Sequence, residues 1–549
     1  MWTRLLLAAS AAALPALATC ADAWLRPGST VRGDFQQQPG QRWQLAVQRG
    51  DFVQGELSGN GQLRLLDHQG RLVRLLVDGQ SLARDFMFVA DRDQTVLLCP
   101  EPLATQAAGS YELRITRIVP RQATRAEPEP EAAEAEPRSP ALQALGRLVR
   151  EGGGTEAFWT ERARQGTPLV EQADPVGKTA LVTFLWRGAE HNVKLFGAPS
   201  GNHDDLLRLP GTDVWYRSYR VPATTRMSYQ LAPDVPALAQ SVPDRRRALL
   251  ATAQRDPLNA LVFAGQPGED RWRQRSLLVL PDAPEHPELR PDASVPAGTV
   301  ERAVLDSASL GNRRDVYLYR PAGWLANTEG QGLLVLFDAH AYLRQVPTAT
   351  LLDNLIAQRR ILPTAALIIA NPDAEARARE LPPNPAFARF IAQELLPWAR
   401  LQGLSASAAR TVVAGSSYGG LASAYAALRY PEKLGNVLAL SGSFWWSPPG
   451  EASQWLTRRV RDSDTRRVRF FLRAGLFEPG KAGQAGILDS NRHLGDVLQA
   501  KGYRVDYGEF AGGHDYAQWG GELSQGLQTL LGTTSGPDAP AAVDRSIAR

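Results

Sequence analysis

Cysteine is nearly missing from this chain, with only Cys20 and Cys99 among 549 residues. Two thiols cannot build a zinc-finger-type site, and a disulfide framework needs more of them. Histidine is also scarce, seven in all, so chemistry that needs an imidazole has few residues to draw on. No apolar run approaches the ~20 residues that cross a bilayer as a helix. Neither sign of charge is in real excess. The 61 Lys and Arg stand against 57 Asp and Glu, a net +4, which offers no argument for nucleic acid as a partner. The length exceeds what one core normally supports, so several domains are expected.

The first 23 residues have the form of a secretory signal. Arg4 supplies the positive region, Leu5 to Leu17 the apolar region, and Ala21-Asp22-Ala23 a small-x-small cleavage site. Ala16-Leu17-Ala18 is a second such site. An exported, periplasmic protein is expected. The minor alternative is a lipoprotein anchored through Cys20, whose box is weakened by Thr19. Cleavage after Ala18 would leave Cys20 to pair with Cys99; cleavage after Ala23 would leave Cys99 as a buried strand residue.

Residues 24–119 alternate with period two in Trp43-Gln44-Leu45-Ala46-Val47, Gln62-Leu63-Arg64-Leu65-Leu66 and Tyr111-Glu112-Leu113-Arg114-Ile115, between turn signals such as Pro39-Gly40 and Gly59-Asn60-Gly61. Short strands at this spacing predict a β-sandwich. Residues 120–139 carry Glu127-Pro128-Glu129-Pro130-Glu131, an extended acidic linker. Two short helices are expected over Leu142 to Arg150 and Thr155 to Arg164. Strands around Val182, Leu195, Trp215 and Tyr229 then predict a second sandwich over 140–290, immunoglobulin-like in strand count. Over 291–533 near-continuous apolar strands alternate with helices, which predicts a buried, mostly parallel sheet of the α/β-hydrolase kind. A disordered tail is expected over 534–549.

Within that last region the β-branched Val412 and Val413 lead into Gly415-Ser416-Ser417-Tyr418-Gly419, and an alanine-rich helix former follows. This is the context of a nucleophile elbow, with Ser417 as nucleophile. Glycines are expected on both flanks because a Cβ there would collide with the strand or helix. The Tyr418 N–H would face a developing oxyanion, joined by the Ala339 or His340 amide from the loop after strand Leu333 to Phe337. Elimination among the few histidines leaves His514, in Gly512-Gly513-His514-Asp515 beyond the final strand, as the base. The acid is expected after the penultimate strand: Glu478, with Asp489 as the alternative.

The span from about 140 to 532 resembles the enterochelin (enterobactin) esterase family. The likeness rests on Gly211-Thr212-Asp213-Val214-Trp215, Asp256-Pro257-Leu258-Asn259, Arg377-Ala378-Arg379-Glu380-Leu381-Pro382, the elbow itself, Ser441-Gly442-Ser443-Phe444-Trp445-Trp446 and the His514 loop. It implies hydrolysis of the ester bonds of a catecholate siderophore, a trilactone of dihydroxybenzoyl-serine taken free or iron-loaded. Iron would arrive with the substrate, and no metal or organic cofactor is implied. Trp445 and Trp446, one exposed and one in the core, would offer a ring for catechols, and Arg377 and Arg379 would meet their negative charge. Two departures stand out: Ala339 where the family has glycine, and Gly520 where it has arginine after Trp519. Residues 24–119 lie outside the family's span and resemble the pre-peptidase C-terminal β-sandwich modules of secreted peptidases, which suits contact with a partner or surface. A general carboxylesterase, a feruloyl or acyl-peptide esterase, or an exported binding protein with an inactive hydrolase domain are the competing readings.

Overall fold

The computed structural model describes residues 23–533, apart from 39, 60, 80–83, 104–108, 124–136, 173, 175, 239–240, 264–269 and 481–482. The expected signal segment with Cys20, most of the acidic linker and the tail from 534 therefore lie outside the described residues. The chain divides into two compact units, one ending at Arg121 and the other running from Gln122 onward.

In the first unit a five-stranded sheet (Ala23–Trp24, Trp43–Val47, Gly61–Leu66, Leu72–Val77 and Gln94–Pro102) and a four-stranded sheet (Thr30–Asp34, Phe52–Gly59, Asp85–Val89 and Ser110–Val119) share one core. Leu45, Leu63 and Leu98 from the first sheet meet Val53, Phe88 and Leu113 from the second. The period-two alternation seen in the sequence puts these side chains on one face of each sheet. Cys99 is buried against Leu66 and Leu97.

The second unit opens with helices Pro140–Arg150 and Glu156–Gln165. The first is capped by Ser139, whose hydroxyl accepts the Leu142 N–H, with Pro140 at the start of the helix. Two further sheets, of four and five strands, follow between Leu169 and Val279. Val182 and Phe184 of one pack on Leu195, Met227, Tyr229 and Leu278 of the other. Helix α1 (Val242–Thr252) covers part of this region.

The rest is built on eight strands: β1 (Thr299–Ser307), β2 (Asn312–Arg320), β3 (Gly332–Leu336), β4 (Thr364–Ile369), β5 (Thr411–Ser416), β6 (Asn436–Leu440), β7 (Arg469–Gly475) and β8 (Arg504–Phe510). Their order in the sheet is β1-β2-β4-β3-β5-β6-β7-β8. The strands from β3 onward pair in parallel, while β1 and β2 run antiparallel at one edge. Strands β3 to β6 are buried along their whole length. Leu333 and Val335 join one core cluster and Leu334 and Leu336 the other, so the sheet is covered on both faces. Among its helices are α2 (Ala339–Arg344), α3 (Ala374–Glu380), α4 (Tyr418–Arg429), α5 (Ile487–Ala500) and α6 (Tyr516–Leu531). The helical stretch that starts at Pro385–Arg389 widens into a π-turn over Phe390–Leu395 before Leu396–Leu401. Pro397 has no N–H to give to the preceding turn, and its ring crowds the carbonyl four residues back. Among the described residues no helix is long and apolar enough to cross a membrane.

Candidate active site

Ser417, Glu478 and His514 each sit past the carboxyl end of a strand of the eight-stranded sheet, where ligands of open α/β sheets are bound. Asp338 follows β3, Ser417 follows β5 and Ser441 follows β6. Their φ angles are 59°, 59° and 46°, a region that residues with a Cβ seldom occupy. Such residues cost roughly 1–3 kcal/mol each and persist where the surroundings fix them. At Ser417 the fixing groups are visible: its N–H donates to Leu440 O and its carbonyl accepts from the Ser443 N–H, each at 3.0 Å. Its Oγ lies 3.3 Å from Ser443 Oγ.

The glycine requirement at the elbow is uneven. A Cβ at Gly415 would come within 2.7 Å of the Gly419 backbone, whereas one at Gly419 would meet nothing closer than 3.6 Å. The sequence expectation therefore holds at Gly415 and fails at Gly419; the second tight position is Gly420, 3.0 Å from the Gly442 Cα. Gly415→Ala is expected to destabilise by about 1–3 kcal/mol or to abolish folding. Gly419→Ala, inside α4, is expected to melt close to wild type. Thermal unfolding of the two variants checks this, and equal melting would remove the close approach as a constraint.

The structure separates the two candidate acids. Glu478 is buried, and its Oε1 lies 2.5 Å from His514 Nδ1. Its Oε2 accepts from Ser441 Oγ at 2.6 Å and from the Gly475 N–H at 2.7 Å. A Cβ at Gly475 would fall 2.7 Å from that same oxygen, so the glycine makes room for the carboxylate. Asp489 has a different occupation. It stands in the first turn of α5 and accepts the Gly480 and Gly486 N–H groups at 3.1 and 3.2 Å, which engages it as the third-residue partner of the helix start.

Around the His514 and Glu478 pair lies a shell that the sequence did not reveal. Trp519 Nε1 donates to Ser441 Oγ at 3.0 Å, and the Trp519 ring stands edge-on to the imidazole at 4.7 Å between centroids. The preceding domain also grips both loops. Phe477, next to the acid, is part of that domain's hydrophobic core. Beside His514, Asp515 accepts from the Ser228 N–H and, at 2.9 Å, from Ser228 Oγ, to which Arg275 Nε donates at 2.6 Å. The Arg226 N–H reaches Ala511 O at 3.1 Å. The only sequence cue to these contacts was position: Ser441 and Ser443 directly follow an apolar strand.

Tyr418, Ala339 and His340 each fall in the first turn of a helix, where N–H groups have no acceptor within the helix and the dipole favours negative charge. Ala339 itself is helical. The left-handed residue of its turn is Asp338, so the methyl that replaces the family's glycine needs no unusual backbone.

Two expected substrate contacts are otherwise engaged. Arg377 makes a bidentate pair with Asp338, Nε to Oδ1 at 2.7 Å and Nη2 to Oδ2 at 2.8 Å, and Asn371 adds a third bond to Oδ1 at 2.7 Å. Its charge is therefore spent on holding the turn before Ala339. Arg379 is exposed and lies 3.6 Å from Glu375 and 3.7 Å from Glu380. The two tryptophans differ in exposure. Trp445 is 37% exposed, while Trp446 packs edge-on to Trp455 against the core. Gly520 is buried, and a Cβ there would meet Leu289 and Val346.

That cavity, about 790 Å³, is bordered by Trp445, Phe477, His514 and Tyr516 together with residues of the preceding domain. Burial, with Asp338 adding to it, pushes the Tyr516 phenol above its ordinary value, so it stays a neutral hydrogen-bonding group on the wall. Among the described residues no cluster of three or more His, Cys, Asp or Glu could hold a metal ion.

Comparison with known proteins adds independent findings. The N-terminal enterochelin esterase family model matches residues 181–289, and an esterase family model matches residues 307–530. The iron(III) enterobactin esterase of Dickeya dadantii (strain 3937) is 32% identical over 429 residues, covering 71% of this chain and 95% of its own. The iron(III) salmochelin esterase of Escherichia coli O6:H1 is 30% identical, covering 68% and 93%. The crystal structure of the Shigella flexneri enterobactin esterase in the presence of enterobactin is 30% identical, with a TM-score of 0.55, covering 69% of this chain and 98% of that one.

Proposed function

The chain belongs to the enterochelin esterase family and is a carboxylic-ester hydrolase, and from this we propose that it opens the ester bonds of a catecholate siderophore with Ser417 as nucleophile, His514 as base and Glu478 as acid. The observation that carries the site assignment is the 2.5 Å contact between His514 Nδ1 and Glu478 Oε1, which leaves Nε2 as the nitrogen for the serine.

In this reading His514 takes the Ser417 proton as Oγ attacks a lactone carbonyl. The oxyanion is held by the Tyr418 amide and that of Ala339 or His340. The alkoxide leaving group takes the proton back from His514, leaving an acyl-enzyme. A water, deprotonated by the same imidazole, then attacks the acyl carbon and releases the acid and Ser417. Trp445 supplies an exposed ring beside the Tyr418 ring, 6.2 Å between centroids, for a catechol to lie on. Iron enters only as part of the substrate. The fold reading that goes with this is two β-sandwiches over 24–119 and 140–290, the second immunoglobulin-like, and an α/β-hydrolase over 291–533. The shared two-sheet cores and the strand order support it. Export to the periplasm remains part of the proposal, from the segment 1–23.

The test is a comparison of kcat/KM for the catechol trilactone, a feruloyl ester and a p-nitrophenyl ester. The trilactone is expected to exceed both simple esters by about 100-fold or more, the reach of substrate-specific binding energy spent at the transition state. Equal values for all three would reduce the protein to a general carboxylesterase.

A further inference from the structure

We propose that Phe196, Arg246 and Arg275, all from the domain preceding the hydrolase sheet, form a subsite for an anionic catechol arm, and that this subsite sets the preference for the iron-loaded over the iron-free substrate. The proposal rests on the siderophore reading given above.

One cavity of about 790 Å³ joins these three residues to Trp445 and His514, a size typical of small-molecule sites. Its walls are unequal in available charge. The two carboxylates on it are taken up: Glu478 by His514, Ser441 and Gly475, and Asp515 by Ser228, across which its charge offsets that of Arg275. Arg246, on α1, is exposed, and no hydrogen bond or ion pair engages it among the described residues. Arg275 is held in place by its bond to Ser228 Oγ and stands over the Phe196 ring at 5.1 Å from the centroid. The His203 ring meets Phe196 edge-on at 4.7 Å. Phe196 packs on the cluster that includes Leu249, which lies one turn after Arg246 on α1. An aromatic ring and the guanidinium group of Arg275 are thus held on the wall that the second domain contributes, with the exposed Arg246 beside them.

A flat, negatively charged ring is what such a wall recognises: it meets the guanidinium plane of Arg275, which the Phe196 ring backs, and is drawn by Arg246. A ferric tris-catecholate carries more negative charge than the iron-free trilactone, so Arg246 favours the former. The cation that the family's arginine after Trp519 would add is missing here, and position 520 faces Leu289 and Val346 in any case. In this chain the positive charge on the cavity comes from the other domain.

The test measures KM and kcat for ferric and iron-free trilactone with wild type, Arg246→Glu, Arg246→Lys and Phe196→Ala. Arg246→Glu is expected to raise KM for the ferric form about tenfold, with a smaller rise for the iron-free form, because the same charge reversal acts on a weaker anion. Arg246→Lys should keep most of the wild-type preference, and Phe196→Ala should raise KM for both forms. Added salt should weaken ferric binding in wild type and leave Arg246→Glu little changed. An unchanged ratio of ferric to iron-free KM in Arg246→Glu overturns the subsite, and because Arg246 is exposed that variant is expected to fold. A wild type that cleaves neither form overturns the siderophore reading itself, and the subsite with it.

Discussion

Ser417→Ala is expected to lower kcat for ester hydrolysis by about 10⁶-fold, with the melting temperature close to wild type. Removing the nucleophile of a serine triad costs about this much, and the residue of activity above the uncatalysed rate comes from binding and oxyanion stabilisation. The fold should survive because the elbow is fixed by backbone groups. The Ser417 N–H to Leu440 O and Ser443 N–H to Ser417 O bonds do not involve the hydroxyl. The hydroxyl's own contact, 3.3 Å to Ser443 Oγ, is long and partly exposed. Steady-state turnover of a p-nitrophenyl ester and a thermal melt measure both halves. Retained turnover would mean another residue attacks.

Glu478→Gln is expected to lower kcat about 10⁴-fold, the size of effect seen when the acid of a serine triad is made neutral. The physical reason is orientation. Glu478 now accepts from three donors: the His514 ring, the Ser441 hydroxyl and the Gly475 amide. A glutamine amide replaces one acceptor oxygen with a donor. Either the imidazole is left facing an N–H, which turns its tautomer around, or Ser441 and Gly475 face one. The loss of negative charge also removes the partner of the imidazolium that forms as Ser417 attacks. Asp489→Ala is the matched control. It should cost about 0.5–2 kcal/mol of stability as a lost helix cap and leave kcat within a few-fold. The reverse pattern, with Asp489→Ala inactive and Glu478→Gln active, would reassign the acid.

Much of this site was legible from the sequence because its signals are local. The elbow is five consecutive residues between an apolar strand and a helix, and scarcity of histidine singled out His514. The buried strands β3 to β7 announced themselves as apolar runs. Strand β1 did not: as the antiparallel edge it is mostly exposed, and Thr299-Val300-Glu301-Arg302 carries no clear pattern. The contacts that tune the site were also silent. Nothing along the chain shows that Arg377 pairs with Asp338, 39 residues earlier. Phe477 and Asp515 read as ordinary loop residues, yet one belongs to the core of the preceding domain and the other to Ser228, 287 residues away. Pairings across such distances leave no periodicity to detect. They arise only when the sheet brings the loops together.

The most direct test of the central claim is product analysis by mass spectrometry after incubating the protein with the cyclic catechol trilactone, in iron-free and ferric form, beside the Ser417→Ala variant. The predicted result is conversion by wild type to the linear trimer and its shorter esters, with the ring intact in Ser417→Ala. An intact ring with wild type, under conditions where simple esters are turned over, would contradict it.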